Sequence, residues 1–328
     1  MMRATNLFIS PHLDDAALSC GGLIHRLARE GERVVIVTVA SADKPAGVPV
    51  SWLMRRSHLA WRLGNTPFAV RRWEDVAAAE TLGADYLHLG MVDAIYRLDS
   101  NDRPLYPTST VAVPIHPSDL KCYRPYLSRR LQDLLRVYGS GSLRVFCPLG
   151  AGQHIDHIVA REAVEASCLP SIISYYEDFP YARRTSVVRA RLSRVAWPET
   201  WIQSSVVLSP DEVEARIRAV ACYNSQLHGL FPSPLERLLE VIRARAPQLP
   251  RFLDRHPRPQ ASRERMASAL RRYIAEVGGE RYWRREDSSE GRLAGVGLAE
   301  GTWRVDVAAQ DGSWAVDWNE SWSRSLEA

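Results

Sequence analysis

The sequence predicts an α/β fold, a Rossmann-like, doubly wound and mostly parallel sheet with helices on both faces, plus C-terminal helical additions and a short tail. Two observations support this prediction: strand-like and helix-like runs alternate along the chain, and the strand-like runs are rich in β-branched residues. Short apolar runs, such as residues 6–10 and 33–40, alternate with helical patterns such as residues 15–30. Runs rich in β-branched residues are typical of buried parallel strands, and their alternation with helices implies right-handed crossovers. The 328 residues, 46% of them hydrophobic, suffice for one such core.

The first predicted strand ends in a polar turn, Pro11-His12-Leu13-Asp14-Asp15, and a helix follows to residue 30. Loops at the carboxyl ends of strands carry the chemistry in open α/β sheets. His12 and Asp15 offer a nitrogen and an oxygen that suit zinc or ferrous iron, and Asp14 is a spare carboxylate beside them. Such a carboxylate can take the proton of a metal-bound water. Helix capping by an aspartate is the alternative.

Residues 41–66 follow the second strand, 33–40, and contain three rings of interest, Trp52, His58 and Trp61. Their spacing favours a helix with an apolar face. Because loops at this edge of a sheet also meet substrates, stacking of the rings on a sugar is the alternative.

The turn after the first predicted strand lacks the Gly-x-Gly-x-x-Gly pattern, which excludes the dinucleotide-binding version of the fold.

The same alternation continues to residue 285. It predicts a helix from Arg71 to Gly83, strands at 86–89, 143–147, 171–176, 200–208 and 280–283, a proline-rich loop at 101–117, and helices at 119–138, 209–223, 235–244 and 262–277. The polar stretch 286–290 then marks a boundary, so we predict a main domain at 1–285 and a tail at 286–328. Within the tail, residues 303–318 alternate as a small hairpin would, with Asp311-Gly312 as its turn.

A second strand-to-helix turn carries the same residue types as the first. The strand at 143–147 is followed by His154-Ile155-Asp156-His157, which leads into another helical run. Because both turns lie at the carboxyl ends of strands, a third metal ligand is available from a different strand.

Together the two motifs, Pro11-His12-Leu13-Asp14-Asp15 and His154-Ile155-Asp156-His157, resemble the LmbE-like or PIG-L family. Its members are metal-dependent N-deacetylases of N-acetylglucosamine-containing substrates. The family pattern is Pro-His-x-Asp-Asp followed further along by His-x-Asp-His, often with proline where this chain has Ile155. The resemblance extends over about residues 5–283.

The resemblance implies a role for each matching residue. The implied metal ligands are His12, Asp15 and His157. The implied catalytic residues are Asp14 as general base, His154 as acid or oxyanion stabiliser, and Asp156 as the group that orients a neighbouring imidazole. The implied substrate contacts are Arg71, Asp93 and Glu177, with Asp178 as a further candidate. The alternatives are an ordinary exposed helix position for Arg71, helix capping or loop bracing for Asp93, and bracing of the site for Glu177 and Asp178. The implied cofactor is Zn²⁺, with Fe²⁺ as the other option.

Composition limits the partners and the compartment. The net charge is +4, and the basic residues are spread among acids, whereas a nucleic-acid binder concentrates them on one face. No run of about 18 apolar residues exists that could form a transmembrane helix. Five scattered cysteines without Cys-x-x-Cys, and no signal-peptide pattern, predict a reducing cytoplasm.

The predicted function is removal of the acetyl group from an N-acetylglucosamine-type conjugate, a small-molecule partner. One alternative is an amidase that cuts a larger acyl amide of an amino-sugar conjugate. Another is a non-catalytic sugar-binding protein, against which Asp14 and His154 argue, since binding alone needs no base beside a metal ligand. The oligomeric state is left open, with a homo-oligomer as one option.

Overall fold

The computed structural model describes residues 4–61, 63, 67–139, 141–195, 201–235, 259–285 and 298–301. The strands are β1 Thr5–Ser10, β2 Arg33–Ala40, β3 Asp85–Met91, β4 Leu143–Pro148, β5 Ile173–Tyr176, β6 Trp201–Val206, β7 Glu280–Arg285 and β8 Leu298–Gly301. The α-helices are α1 Asp15–Arg29, α2 Trp52–Trp61, α3 Pro67–Leu82, α4 Arg124–Tyr138, α5 Ile155–Glu165, α6 Thr185–Val195, α7 Pro210–Val220, α8 Asn224–Leu230 and α9 Pro259–Val277.

The described strands form one mixed sheet in the order β3-β2-β1-β4-β5-β7-β6-β8. The five strands from β3 to β5 are parallel, and β7, β6 and β8 are each antiparallel to the strand before them in that order. The predicted α/β fold with a mostly parallel, doubly wound main sheet is confirmed. The chain moves from β1 outward to β2 and β3 and then returns to place β4 on the other side of β1. That reversal is a topological switch point, where ligands bind in this class of fold.

Alternate residues of each central strand enter two different cores. Leu7 and Ile9 of β1 belong to one hydrophobic cluster, whereas Phe8 belongs to a second one on the opposite face. In the second cluster Phe8 stacks on Phe146 of the neighbouring β4, with ring centroids 4.3 Å apart. Leu131 of α4 covers the first face and Leu23 of α1 covers the second. The apolar runs are therefore buried on both sides, as parallel strands require.

Some elements differ from the sequence prediction. The helix predicted at 119–138 begins as a π-helix, Asp119–Tyr123, before α4 starts. Pro125 lies in the first turn of α4 and has no N–H to continue the earlier hydrogen bonds, which explains the break. The strand predicted at 171–176 begins only at Ile173, after a 3₁₀ turn at Pro170–Ile172. The short helices α6 and α8 were not predicted.

The C-terminal predictions are only partly covered by the described residues. The helix predicted at 235–244, apart from its first residue, and the hairpin predicted at 303–318 lie outside them. Residues 298–301 of the predicted tail form β8, which pairs with β6. Among the described helices, none is both long enough and apolar enough to cross a bilayer.

Candidate active site

The two motif turns lie side by side, because they follow the neighbouring strands β1 and β4. Phe8 in β1 is in register with Phe146 in β4, so the two strands bring their following loops to the same edge of the sheet. The sheet order reverses between these strands, which leaves a crevice at their carboxyl ends. The sequence-distant motifs therefore converge on one site.

Asp15 is at the centre of this site. Its Oδ2 lies 3.1 Å from Nδ1 of His12 and 3.3 Å from Nε2 of His157. The same oxygen accepts a 2.8 Å hydrogen bond from the backbone N–H of His12. Asp15 is also the first residue of α1, where the helix dipole favours its negative charge. Two imidazole nitrogens and one carboxylate oxygen thus come together from two strands.

Both imidazoles have a carboxylate at their other nitrogen. Nε2 of His12 lies 3.0 Å from Oδ2 of Asp156, and Nδ1 of His157 lies 2.5 Å from Oδ1 of Asp178. A carboxylate in this place fixes the tautomer and the orientation of a metal-ligating imidazole. Two histidines and one aspartate, supported in this way, are a donor set that fits zinc or ferrous iron.

Among the described residues, the sets of three donors whose atoms all lie within 4.8 Å of one another are His12 with His154 and His157, and His12 with Asp93 and Asp156; neither includes Asp15. Both contain a group that is already engaged. Nδ1 of His154 accepts a 3.2 Å hydrogen bond from the backbone N–H of Asp156, and Asp156 is paired with a buried arginine, Arg97. We therefore favour the set centred on Asp15.

The electrostatics separate the two adjacent aspartates. Burial, followed by the charge of Asp15, raises the pKa of Asp14 to about 7, against the opposing charges of Arg71 and His12. Burial acts in the same direction on Asp15, but the charge of His157 and the hydrogen bond from His12 hold its pKa well below the usual range. Asp15 is therefore suited to be an anionic ligand. Asp14 is suited to take up and release a proton near neutral pH.

The two imidazoles around Asp15 hold protons strongly. Burial lowers the pKa of His157, but Asp15 and Asp178 outweigh it and raise the pKa to about 10. Burial is likewise outweighed at His12, where Asp15 and Asp156 raise the pKa well above its usual value. Because a metal ion binds the neutral imidazole, a cation here would displace these protons.

His154 is in a different state. It is the N-cap residue of α5, and its Nδ1 accepts the Asp156 N–H, which assigns the ring proton to Nε2. Nε2 lies 2.8 Å from Oγ1 of Thr110, so this proton is directed at a hydroxyl. Burial and then the charge of His12 lower the pKa of His154 well below its usual value. His154 is thus neutral, with a single N–H donor.

Of the three predicted substrate contacts, Arg71 and Asp93 lie at this site. Nη2 of Arg71 is 3.9 Å from Oδ2 of Asp14, and the guanidinium lies over the rings of Trp61 and Phe68 at 4.6 and 5.1 Å. Oδ2 of Asp93 is 3.8 Å from Nε2 of His12, while its Oδ1 caps a 3₁₀ turn by accepting the N–H of Ile95.

Glu177 and Asp178 make contacts within the protein. Glu177 accepts hydrogen bonds from Tyr273, Arg281 and Trp283 at 2.7, 2.8 and 3.0 Å, which connect β5 to α9 and β7. This geometry favours the bracing role that the sequence left as an alternative. Asp178 braces the site itself, because it contacts His157 and accepts the N–H groups of Gly150 and Ala151.

Arg97 and Thr110 are at the site but were not found from the sequence. Arg97 is 6% exposed, donates to Asp119 at 2.7 Å and also hydrogen-bonds to Asp156. These partners are 22 and 59 residues away, and no local pattern marks such contacts. Thr110 lies in the proline-rich loop. It reaches His154 because this loop pairs with residues 154 and 155, and no sequence pattern marks that pairing.

Comparison with known proteins shows that this chain is similar to deacetylases. Residues 7–168 match the family model described as PIG-L, GlcNAc-PI de-N-acetylase. A 2'-N-acetylparomamine deacetylase of Streptomyces fradiae is 26% identical over 237 residues, which cover 69% of this chain and 75% of that enzyme. The zinc-inhibited form of a teicoplanin deacetylase is similar in structure, with a TM-score of 0.62 and 25% identity, covering 86% of this chain and 99% of the other. A deacetylase–teicoplanin complex gives 0.59 and 27%, covering 74% and 94%.

Proposed function

We propose that this chain, which belongs to the PIG-L (LmbE-like) family, is a metal-dependent N-deacetylase of an N-acetylglucosamine-type sugar conjugate. The observation that carries the proposal is the position of Asp15 between the imidazoles of His12 and His157, with the Asp14 carboxylate next to it in sequence. The relatives named as deacetylases of an acetylated amino sugar and of teicoplanin support the reaction and the substrate class.

The proposed ligands of the metal are His12, Asp15 and His157, and zinc or ferrous iron fits them. A cation bound there would supply Lewis-acid activation of the attacking water and of the amide carbonyl. Asp14 accepts the proton of the water on its carboxylate, and Arg71 stabilises the anionic form of Asp14 that can do so. Asp14 then passes this proton to the leaving amine. Because His154 is neutral, it can contribute a hydrogen bond from Nε2 but not a transferable proton.

Asp156 and Arg71 complete the proposed machinery. Asp156 positions His12 through its hydrogen bond to Nε2, which leaves Nδ1 directed toward Asp15. Arg71 is buried, and its Nε has no hydrogen-bond partner among the described residues. This guanidinium can therefore bind a substrate oxygen beside Asp14, with Asp93 as a second contact for a hydroxyl.

A second candidate is an amidase that cuts a larger acyl amide of an amino-sugar conjugate. The rings of Trp61 and Phe68 pack on Arg71, which itself lies beside Asp14. Phe68 is fully buried, but the Trp61 ring is partly exposed and would offer an apolar surface near the base to an acyl group larger than acetyl. For the domain boundary, we propose that residues 1–285 carry the reaction and that 286–328 form an appended segment.

The test is an acetate-release assay on metal-analysed protein, with a panel of N-acetylglucosaminides that differ in the aglycone. The wild type should release acetate, and Asp14→Asn should retain metal but lose about 100- to 10,000-fold in kcat, the range of general acid–base catalysis. Asp133→Asn, at an exposed position in α4, makes the same chemical change and should leave kcat unaltered.

Each outcome of this assay has a defined meaning. Acetate from the wild type and not from Asp14→Asn would establish the chemistry and rank the aglycones. No acetate in spite of one bound metal per chain would refute the deacetylase, and longer-chain N-acyl substrates would then test the second candidate. Equal rates for wild type and Asp14→Asn would refute the assignment of the base.

A further inference from the structure

Tyr181 has a place in the site that the metal and proton-transfer groups leave unexplained. Its ring packs directly against Gly152, two residues before His154. A Cβ on Gly152 would overlap Cγ of Tyr181, so any side chain here would collide with the ring. Gly152 is not among the residues with positive φ, so the ring accounts for the glycine at this position. The Tyr181 ring also meets the His157 ring edge-on, with centroids 6.1 Å apart.

The segment that carries Tyr181 is firmly attached to the ligand His157. Asp178, three residues earlier, accepts hydrogen bonds from the N–H groups of Gly150 and Ala151 at 2.8 and 2.9 Å and contacts Nδ1 of His157 at 2.5 Å. One buried carboxylate thus joins the 178–181 segment, the loop before His154 and the His157 imidazole. Tyr181 is held in a fixed position relative to the metal ligands, which is what a preorganised catalytic group requires.

The hydroxyl of Tyr181 is a donor without an assigned acceptor. It makes no hydrogen bond to any of the described residues, and the side chain is only partly buried. Other tyrosines near the sheet do have acceptors: Tyr175 donates to Glu165 and Tyr176 to the carbonyl of Ile9, each at 2.9 Å.

The other neutral donor at the site is already in use. His154 has one N–H, at Nε2, and it faces the hydroxyl of Thr110 at 2.8 Å. A reacting amide develops negative charge on its oxygen, and a fixed donor aimed at that oxygen lowers the barrier. Of the two groups, the Tyr181 hydroxyl can make this contact without breaking a hydrogen bond within the protein.

We propose that Tyr181 is a catalytic residue whose hydroxyl donates a hydrogen bond to the oxygen of the scissile amide as that oxygen becomes negative. The proposal rests on the amide hydrolysis proposed above and adds to it a donor on the side of the site formed by Gly152 and His157. The hydroxyl keeps its own proton throughout, so no proton transfer is assigned to it.

The test is Tyr181→Phe, which removes the hydroxyl and keeps the ring that packs on Gly152. In the metal-loaded protein we expect kcat for acetate release to fall about 100-fold, the effect of losing one oxyanion donor, with KM nearly unchanged. The metal content should not change. Tyr175→Phe is the matched control, because it removes a hydroxyl that is bonded to Glu165, and its kcat should equal that of the wild type.

A binding measurement separates this proposal from the proposed function. A methylphosphonamidate of glucosamine imitates the tetrahedral anion, and Tyr181→Phe should bind it about 100-fold more weakly than the wild type does. If the wild type releases no acetate, the deacetylase fails and these affinities alone decide the role of Tyr181. Equal affinities, a wild-type kcat in Tyr181→Phe, or no binding of the phosphonamidate to the wild type would each overturn the proposal.

Discussion

Replacing Arg97 by methionine should destabilise the fold and weaken metal binding at the same time. Arg97 is the buried cation between Asp119 and Asp156, which are 1% and 3% exposed. Methionine has a similar length but no charge, so both carboxylates lose their counterion. Because Asp156 orients His12, the loss also reaches a proposed metal ligand.

The expected loss of stability depends on the hydrogen bonds that the two carboxylates keep after the substitution. Breaking a buried ion pair costs about 3–5 kcal/mol, since it leaves an uncompensated charge in the interior. Asp119 still accepts a hydrogen bond from the hydroxyl of Tyr106, and Asp156 still accepts one from the N–H of Ala94, at 2.9 and 3.1 Å. We therefore expect a loss near the lower end of this range, about 3 kcal/mol in the free energy of unfolding. The loss of the second ion pair should not double this cost, because both carboxylates keep a hydrogen-bond donor.

Two assays check this expectation. Urea unfolding measures the stability, and competition with a chelator measures the Kd of the metal, which should rise about 10- to 100-fold as for other groups that orient a ligand. Arg136→Met is the matched control, because Arg136 pairs with Asp133 on the exposed face of α4 and should change neither quantity measurably. An Arg97→Met protein with the stability and metal Kd of the wild type would refute the reasoning.

Three further predictions concern the ligands and the packing of α1. His157→Ala should bind less than stoichiometric metal by elemental analysis, and full retention would show that the ligand assignment is wrong. Asp178→Asn should raise the metal Kd about 10- to 100-fold in the chelator assay, because the His157 imidazole loses its anionic partner; an unchanged Kd would contradict this role. Gly21→Ala should cost about 1–3 kcal/mol by urea unfolding, since its Cβ would lie 2.8 Å from Cγ and 3.2 Å from Cα of the fully buried Arg216. Gly141→Ala is the control, with nothing within 4 Å, and equal losses would contradict the packing argument.

Much of the fold could be predicted because its signals are local. Strand β2 was predicted with its observed bounds, because seven of its eight consecutive residues are apolar or β-branched, the pattern of a parallel strand. The same seven residues are buried in the structure. The short helices α6 and α8 gave no such signal, because in α6 only Val188 and Leu192 are buried among the described side chains. Two buried residues four apart form only a narrow helical face, and the apolar Val187 beside them in the sequence is not fully buried.

Some residues of the candidate site could likewise be predicted from local signals in the sequence, whereas others could not. The motif residues His12, Asp14, Asp15 and the segment 154–157 stand out because each motif lies between a strand and the next helix. The position of such turns at the carboxyl edge follows from chain direction alone. The sequence thus determined the fold class, the elements that carry the candidate site and the chemical type of its proposed ligands.

Only the tertiary structure decided which groups meet. It placed β1 beside β4, paired His12 with Asp156 and His157 with Asp178, and brought Arg97 to Asp156. These contacts join residues from 21 to 144 positions apart, and no periodicity links such positions in the chain. They form because the sheet order and the packing of its loops bring buried charges together, and a buried charge is stable only where it finds a partner.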